Sequence, residues 1–218
     1  METETKICVS IGKMPFDAII GILNQVEMAE IRLDLALLEE EQIKAIFSAH
    51  DKLIATCREG EYNDVERSRL LEIAVLHGAA WIDVEADASA PFRESMIKLA
   101  RSSGTALILS RHYYTHTPKQ EELTRAIDEM LDEGADIAKI AAQVNEPSDA
   151  ARLLSLYTVP GKIVSIGMGP LGVITRIAAP FLGAPFTFAS AGEDLPTAGG
   201  QIEYTGMTAL IEKISSYG

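Results

Sequence analysis

A single lysine, Lys139, interrupts an apolar run that reads Ala-Asp-Ile-Ala-Lys-Ile-Ala-Ala-Gln over residues 135–143. The run predicts a buried strand, and burial disfavours the charged form of an amine. A neutral amine is a nucleophile whose natural electrophile is a ketone or an aldehyde, with which it forms a Schiff base. Lys139 is therefore a candidate imine-forming residue.

A second reactive side chain, His112, ends another apolar run 27 residues before Lys139. A histidine titrates near neutral pH and suits general acid–base catalysis. His116 lies close enough in the chain to compete for that role. Taken singly, an edge lysine or a hydrogen-bonded structural histidine is the commoner case. Only convergence of both residues at one end of one fold favours carbonyl chemistry.

The elements that must position these residues alternate between short apolar runs and amphipathic stretches. Eight unbroken strand-and-helix units predict one (β/α)8 TIM barrel that fills residues 1–218 as a single domain. A doubly wound open sheet is the alternative, but no Gly-x-Gly-x-x-Gly follows the first strand. The predicted strands are 6–11, 29–35, 52–58, 81–86, 105–112, 136–144, 162–168 and 185–190.

Charge and composition narrow the class of partner. The formal net charge of −13 argues against nucleic acid and anionic membranes as partners, although a few converging arginines still suit a small anionic substrate. No apolar run reaches the length of a membrane-spanning helix. The two cysteines, Cys8 and Cys57, do not suggest a disulfide scaffold and fit a reducing cytosol.

Side-chain alternation along the strands predicts where an active site would lie, since reactive groups of a barrel project inward near the carboxyl ends of its strands. The loop 192–201 after the eighth strand is rich in turn residues and suits a mobile lid. The polar groups expected on inward faces or at strand ends are Glu30, Arg32 and Asp34, Arg58 and Glu59, Asp83 and Glu85, His112, Lys139 and Arg176.

Five short motifs in order resemble those of the type I 3-dehydroquinate dehydratase family, the Schiff-base enzymes of the shikimate pathway. The resemblance covers nearly the whole chain. The motifs are Glu-Ile-Arg-Leu-Asp at 30–34, Ser-Arg-His-Tyr-Tyr-Thr-His-Thr-Pro at 110–118, Lys-Ile-Ala at 139–141, Met-Gly-Pro-Leu-Gly-Val-Ile-Thr-Arg at 168–176, and Thr-Phe at 187–188 with Thr-Ala-Gly-Gly-Gln at 197–201.

The resemblance implies a hydro-lyase that converts 3-dehydroquinate to 3-dehydroshikimate, with no organic cofactor and no metal ion. Lys139 would form the imine and His112 would be the general acid and base, oriented by Glu59. Arg176 would hold the substrate carboxylate, for which a guanidinium fork is suited. The other residues implied at the substrate are Glu30, Arg32, Arg58, Met168, Phe188, Thr197 and Gln201.

The chain departs from the family's pattern in several places. The lid serine is Thr197, the lid proline is Gly199, and Ile166 replaces a second methionine. The spacer after Arg58 is short, which leaves Glu59 and Glu61 as alternatives for the partner of His112.

Two rival functions and the oligomeric state stay open on the sequence. A class I aldolase-type barrel shares imine chemistry and would use the glycine-rich segment 167–172 for phosphate. A barrel that only binds a small carboxylate is the other rival. Family members are often dimers, and the apolar segment 210–214 either serves a homodimer interface or simply covers the barrel.

Overall fold

The computed structural model describes residues 6–217 and shows eight parallel strands that alternate with helices in a nearly closed barrel. The order across the sheet is β7-β6-β5-β4-β3-β2-β1-β8. The TIM-barrel prediction is confirmed. The strands are β1 Ile7–Ile11, β2 Met28–Arg32, β3 Leu53–Thr56, β4 Trp81–Glu85, β5 Ala106–Tyr113, β6 Ile137–Gln143, β7 Ile163–Met168 and β8 Thr187–Ser190.

Helices connect the strands on the outside of the barrel. Within residues 6–217 no helix is both long and apolar enough to cross a membrane. The α-helices are α1 Phe16–Leu23, α2 Leu33–Ala36, α3 Glu40–Ala49, α4 Asp64–Leu76, α5 Ala90–Ser103, α6 Gln120–Asp132, α7 Pro147–Ser155, α8 Val173–Ala178 and α9 Tyr204–Ser215, with 3-10 turns at Leu156–Thr158, Pro170–Gly172 and Ala179–Leu182.

Local sequence explains where several helices begin. In α4 the side chain of Asn63 accepts hydrogen bonds from the first-turn amides, and Glu66 bonds back to the Asn63 amide. This reciprocal capping satisfies amides that have no partner inside the helix. In α5 the Ser89 hydroxyl caps the start and Pro91 lies in the first turn, where its missing N–H costs nothing.

Strand alternation separates two apolar layers. One parity of strand residues packs outward against the helices, as Val9, Ala29 and Ile140 do. The other parity forms a second buried cluster of strand residues that includes Cys8, Ile108 and Val164. Towards the carboxyl ends of β1 to β6, this inward parity changes from apolar to polar side chains, whereas β7 and β8 stay apolar with Ile166, Met168 and Phe188.

The second strand ends before its predicted boundary at residue 35. β2 ends at Arg32, and residues 33–36 form the short helix α2, which ends at Leu37 with a positive φ of 49°. The prediction that Asp34 continues the strand face of Glu30 and Arg32 is therefore wrong. Asp34 instead turns back in α2 and forms an ion pair with Arg32 at 2.6 Å.

Candidate active site

A small cavity of about 60 Å³ opens at the carboxyl end of the barrel. The lining residues are Glu30, Arg32, Arg58, His112, Lys139, Ala141, Ile166, Met168, Arg176, Phe188, Thr197, Ala198 and Gln201.

The structure thus brings ten of the eleven predicted site residues to one cavity, and Glu59 is the exception. The cavity has two parts. We call Glu30, Arg58, Asp83 and Lys139, which come from β2 to β6, the lysine side. We call Met168, Arg176, Thr197 and Gln201, which come from β7 and the segments after it, the arginine side.

Lys139 is buried on β6 and its nitrogen is enclosed by charged and aromatic groups. Nζ lies 2.8 Å from Asp83 Oδ2 and 3.8 Å from Glu30 Oε1. It also lies 4.3 Å from the centre of the Phe188 ring, in a cation–π contact. Lys139 is therefore buried as predicted, and its nitrogen forms an ion pair with Asp83.

Asp83 was expected to face inward but was given no role at the site, yet it is the centre of the lysine side. Its Oδ2 accepts from both Lys139 and Arg58 Nη2, the latter at 2.8 Å, and its Oδ1 accepts from Ser110 Oγ at 2.6 Å. Burial alone would raise the pKa of Asp83, but the Arg58 and Lys139 charges outweigh burial and hold it well below its ordinary value. The signal in the sequence was a lone carboxylate between Ile82 and Val84 in an apolar strand.

His112 lies near the end of β5, and its ring Nδ1 is buried without a hydrogen-bond partner among residues 6–217. The ring stacks on Tyr114 with centroids 5.7 Å apart. Burial, followed by the nearby Arg58 and Lys139 charges, lowers the pKa of His112 well below its ordinary value. The imidazole is therefore neutral at pH 7, as a base requires. The competing His116 is exposed and does not line the cavity.

Neither candidate partner of His112 meets it. Glu59 and Glu61 are exposed, and within residues 6–217 neither makes a hydrogen bond to the ring. Both line a neighbouring open depression with Tyr114. The Glu59 amide donates to Glu85 Oε2 at 3.3 Å, which holds this loop against β4.

Arg176 on the arginine side is 1% exposed but has little compensation for its charge. Its Nη2 makes a long hydrogen bond of 3.4 Å to the Gly199 carbonyl, and its Nε finds no partner in the described part of the chain. Burial lowers the pKa of Arg176 to about 10. A buried guanidinium without an anion is costly, so this site is suited to bind one.

A tight backbone crossing positions Arg176 after β7. A side chain on Gly167 would lie 2.7 Å from the Cα of Gly172, so the two backbones touch there. Thr175 Oγ1 accepts from the Gly167 amide and donates to the Gly172 carbonyl, both at 2.7 Å. Thr187 Oγ1 in β8 then donates to the Arg176 carbonyl at 2.8 Å. These bonds join the β7 and β8 ends, between which the described residues show no strand pairing.

The lid closes over the cavity through side-chain hydrogen bonds. Thr197 Oγ1 donates to Ser10 Oγ at 2.6 Å, and Ser10 Oγ donates to Glu30 Oε2 at 2.5 Å. Gln201 Oε1 accepts from the Thr197 amide at 2.7 Å. Thr56 Oγ1 occupies the other oxygen of Glu30 at 2.8 Å. A chain of hydroxyls thus links the lid to the carboxylate beside Lys139, and sequence reasoning had missed both Ser10 and Thr56.

No cluster of three or more His, Cys, Asp or Glu side chains with metal-binding geometry occurs within the described ranges.

Phe188 and Met168 are buried and form an apolar wall of the cavity. Arg32 reaches the rim while its guanidinium holds Asp34 through two hydrogen bonds. Its charge is therefore partly engaged, unlike that of Arg176.

Comparison with known proteins identifies the family of this chain. The model of the type I 3-dehydroquinase family matches residues 7–216. The chain belongs to the type I 3-dehydroquinase family. A 3-dehydroquinate dehydratase from Dehalococcoides mccartyi is 31% identical over 217 residues, which cover 96% of each protein.

Solved structures show the same barrel. The 3-dehydroquinate dehydratase from Aquifex aeolicus is 26% identical with a TM-score of 0.82, covering 96% of this chain and 98% of that one. The enzyme from Geobacillus kaustophilus has a TM-score of 0.85 at 24% identity, covering 99% and 93%, and supports the fold alone. The family membership confirms the resemblance drawn from the five motifs.

Proposed function

We propose that this chain dehydrates 3-dehydroquinate to 3-dehydroshikimate through an imine on Lys139, as a hydro-lyase of the shikimate pathway of aromatic amino-acid biosynthesis. The observation that carries the proposal is the meeting of Lys139, a neutral His112 and an uncompensated Arg176 at one cavity. Membership of the type I family supports the same reaction.

The lysine supplies covalent catalysis. The neutral Lys139 amine attacks the C3 ketone, and the adduct takes up a proton and releases water to leave a protonated imine. The cationic imine withdraws electrons from C2 and so acidifies the C2–H bond. Loss of the C2 proton gives an enamine, which expels the C1 hydroxyl as water once that group is protonated. Hydrolysis of the remaining imine returns the amine and releases the enone product.

His112 is the proton carrier of the proposal. Its neutral ring takes the C2 proton, and the resulting imidazolium gives a proton to the departing hydroxyl. Burial and the nearby cations, which together lower the pKa of His112, also make the imidazolium a strong acid for the second step. Glu59 remains the proposed orienting residue, and for that role the loop after β3 has to move its carboxylate towards the ring. Glu61 requires the same movement.

The remaining predicted residues bind substrate in the proposal. Arg176 holds the carboxylate with its free guanidinium edge. Glu30, Arg32 and Arg58 line the hydroxyl-bearing side of the ring, while Met168 and Phe188 pack on its faces. Thr197 and Gln201 close from the lid. The hydrogen bonds that hold the lid over the cavity support an entry step in which the lid opens.

The aldolase-type rival finds no support in the glycine-rich segment. A phosphate site needs free backbone amides at such a loop. Here the Gly167 amide donates to Thr175, the Gly172 amide to the Gly169 carbonyl, and the Gly169 amide to the Gly199 carbonyl. These three glycine amides already have partners within the protein, so a carboxylate substrate held by Arg176 fits the site better than a phosphate bound at this segment.

The test of the proposed function is a direct assay for the conjugated enone product. The purified protein is mixed with 3-dehydroquinate, and the rise in ultraviolet absorbance is followed against the Lys139→Ala variant. We expect turnover by the natural protein and none by the variant. No rise in absorbance with correctly folded natural protein would reject the proposal.

We also propose a single catalytic domain that works as a cytoplasmic homodimer. The family model spans nearly the full chain, and both cysteines are free and buried, which suits a reducing compartment. On α9, Met207 and Ile211 cover the barrel, while Leu210 and Ile214 are 42% and 43% exposed. Sedimentation of the natural protein beside Leu210→Glu tests the dimer, and a monomer in both would reject it.

A further inference from the structure

A fully buried carboxylate, that of Asp83, contacts the reacting nitrogen but has no part in the mechanism so far. The side chain has no solvent exposure, and its Oδ2 lies 2.8 Å from both Lys139 Nζ and Arg58 Nη2. Glu30 lies farther from the same nitrogen, at 3.8 Å. Asp83 is therefore the nearest anion to the atom that becomes the imine.

The charge on that nitrogen is the same before and after imine formation. An ammonium and a ketone give a protonated imine and water, so one positive charge enters and one remains. The ammonium has three N–H donors, whereas the protonated imine has one. That single N–H needs one well-placed acceptor, and the carboxylate at 2.8 Å already accepts from this nitrogen.

We propose that Asp83 is the counter-ion that keeps the imine on Lys139 protonated while the C2 proton is removed. This inference rests on the proposed function. An electron sink is effective only while the imine carries its proton, and a buried anion beside it stabilises that form. Arg58, on the same oxygen as Lys139, and Ser110, on Oδ1, hold Asp83 in place.

Asp83 acts as an anion and not as a base. The charges around it hold its pKa well below the ordinary value despite burial, so it does not take the proton from the imine. Glu30 is less suited to the role because both of its oxygens accept from hydroxyls, one from Ser10 and one from Thr56. The two carboxylates of the lysine side thus have different tasks.

Removal of the anion has a specific consequence for pH dependence. In Asp83→Asn the imine nitrogen loses its nearest anion, while the Arg58 charge stays and Glu30 remains at 3.8 Å. Its proton is then released at lower pH, so the alkaline limb of the kcat profile moves down. We expect a shift of about one pH unit or more, which lowers kcat about tenfold on that limb. A purely structural role of Asp83 would not move the limb.

The experiment measures kcat against pH for the natural protein, Asp83→Asn and Asp83→Glu, with borohydride trapping and mass spectrometry of each. Asp83→Glu retains the charge and is expected to restore most of the limb. Asp149→Asn is the matched control, because Asp149 is a buried, ion-paired carboxylate outside the cavity. It should keep the natural profile.

The outcomes are distinct. A natural alkaline limb and kcat in folded Asp83→Asn would overturn the counter-ion role while the trapped adduct upholds the proposed function. Absence of an adduct in the natural protein would remove both. If Asp83→Asn does not fold, isotope-edited infrared spectra of the natural protein mixed with 3-dehydroquinate, in H2O and in D2O, decide instead. A C=N stretch insensitive to D2O at neutral pH would overturn the proposal, and a shifted one supports it.

Discussion

The lysine side and the arginine side of the cavity differ in how their charges are compensated. On the lysine side, Lys139 and Arg58 share one carboxylate oxygen of Asp83 at 2.8 Å each. On the arginine side, Arg176 has only a 3.4 Å bond to a carbonyl and an Nε without a partner among residues 6–217. One side is complete before substrate arrives, whereas the other is short of one anion.

This difference separates two tasks that an enzyme active site must perform. The reacting nitrogen needs a fixed position, which a satisfied ion-pair network supplies. The binding group needs a charge that only the substrate compensates, since a guanidinium already paired with a carboxylate would gain little from a second one. The lysine side, arranged for the reaction, and the arginine side, which still lacks an anion, therefore line the same small cavity.

The largest expected effect breaks the lysine side at its reacting atom. Lys139→Ala should abolish imine formation and turnover, because no other amine lies at the cavity among the described residues. Borohydride reduction in the presence of substrate, followed by mass spectrometry, measures the adduct. Lys98→Ala changes an exposed lysine of α5 and is the control. An adduct that persists in Lys139→Ala would remove this residue from the mechanism.

The second largest effect is expected at the proton carrier. His112→Ala should still form the trapped imine but lower kcat by about 10²–10⁴-fold, the usual contribution of general acid–base catalysis. The matched control is His116→Ala, which removes an exposed histidine bonded to Thr115. Near-natural turnover in His112→Ala together with loss in His116→Ala would reverse the two assignments.

A smaller effect, on binding, is expected on the arginine side. Arg176→Met should raise KM by about 10–100-fold with kcat changed less, since a charged hydrogen bond contributes about 1.5–3 kcal/mol. The exposed Arg69, changed to Met, is the control. An unchanged KM would show that the carboxylate is bound elsewhere.

The Arg176→Met substitution also tests the difference between the lysine side and the arginine side through protein stability. Removing an uncompensated buried charge should leave the melting temperature of ligand-free Arg176→Met equal to or above the natural value. Breaking the satisfied pair with Asp83→Asn should lower it, because a buried charge is left alone. Equal losses in both variants would contradict the difference between the two sides.

The smallest expected effect concerns the hydroxyl chain that joins the two sides. Thr197→Val keeps the side-chain shape but removes the bond to Ser10, which contributes about 0.5–1.5 kcal/mol and should lower kcat/KM about 2- to 10-fold. Thr197→Ser retains the hydroxyl and should stay near the natural value. A larger loss in the serine variant would assign the effect to the methyl group instead.

Periodicity made most of the fold predictable. All eight strands lie within or close to their predicted ranges, because buried parallel strands are continuous apolar runs. The end of β2 was predicted wrongly because Leu33 and Leu35 continue the alternation in sequence while the backbone already turns into α2. An apolar pattern cannot tell an extended residue from the first turn of a short helix.

The site was predictable where strand geometry determines position and not where a loop or a partner does. Inward parity brings Glu30, His112 and Lys139 together without further information. Glu59 follows the end of β3, and the conformation of its loop carries no periodic signal. Asp83 was visible as an inward carboxylate, but its contact with Lys139 spans 56 residues, and only the closed barrel sets that distance.

The crossing of Gly167 and Gly172 has a consequence for protein engineering. With backbone against backbone, neither position accepts any side chain, because even a methyl group would overlap main-chain atoms that have no freedom to retreat. A mutant library that randomises this turn to retune substrate choice would therefore consist almost wholly of damaged proteins. Substitutions placed in the lid, where Gly199 has open surroundings, would leave the position of Arg176 unchanged while they alter the shape of the cavity roof.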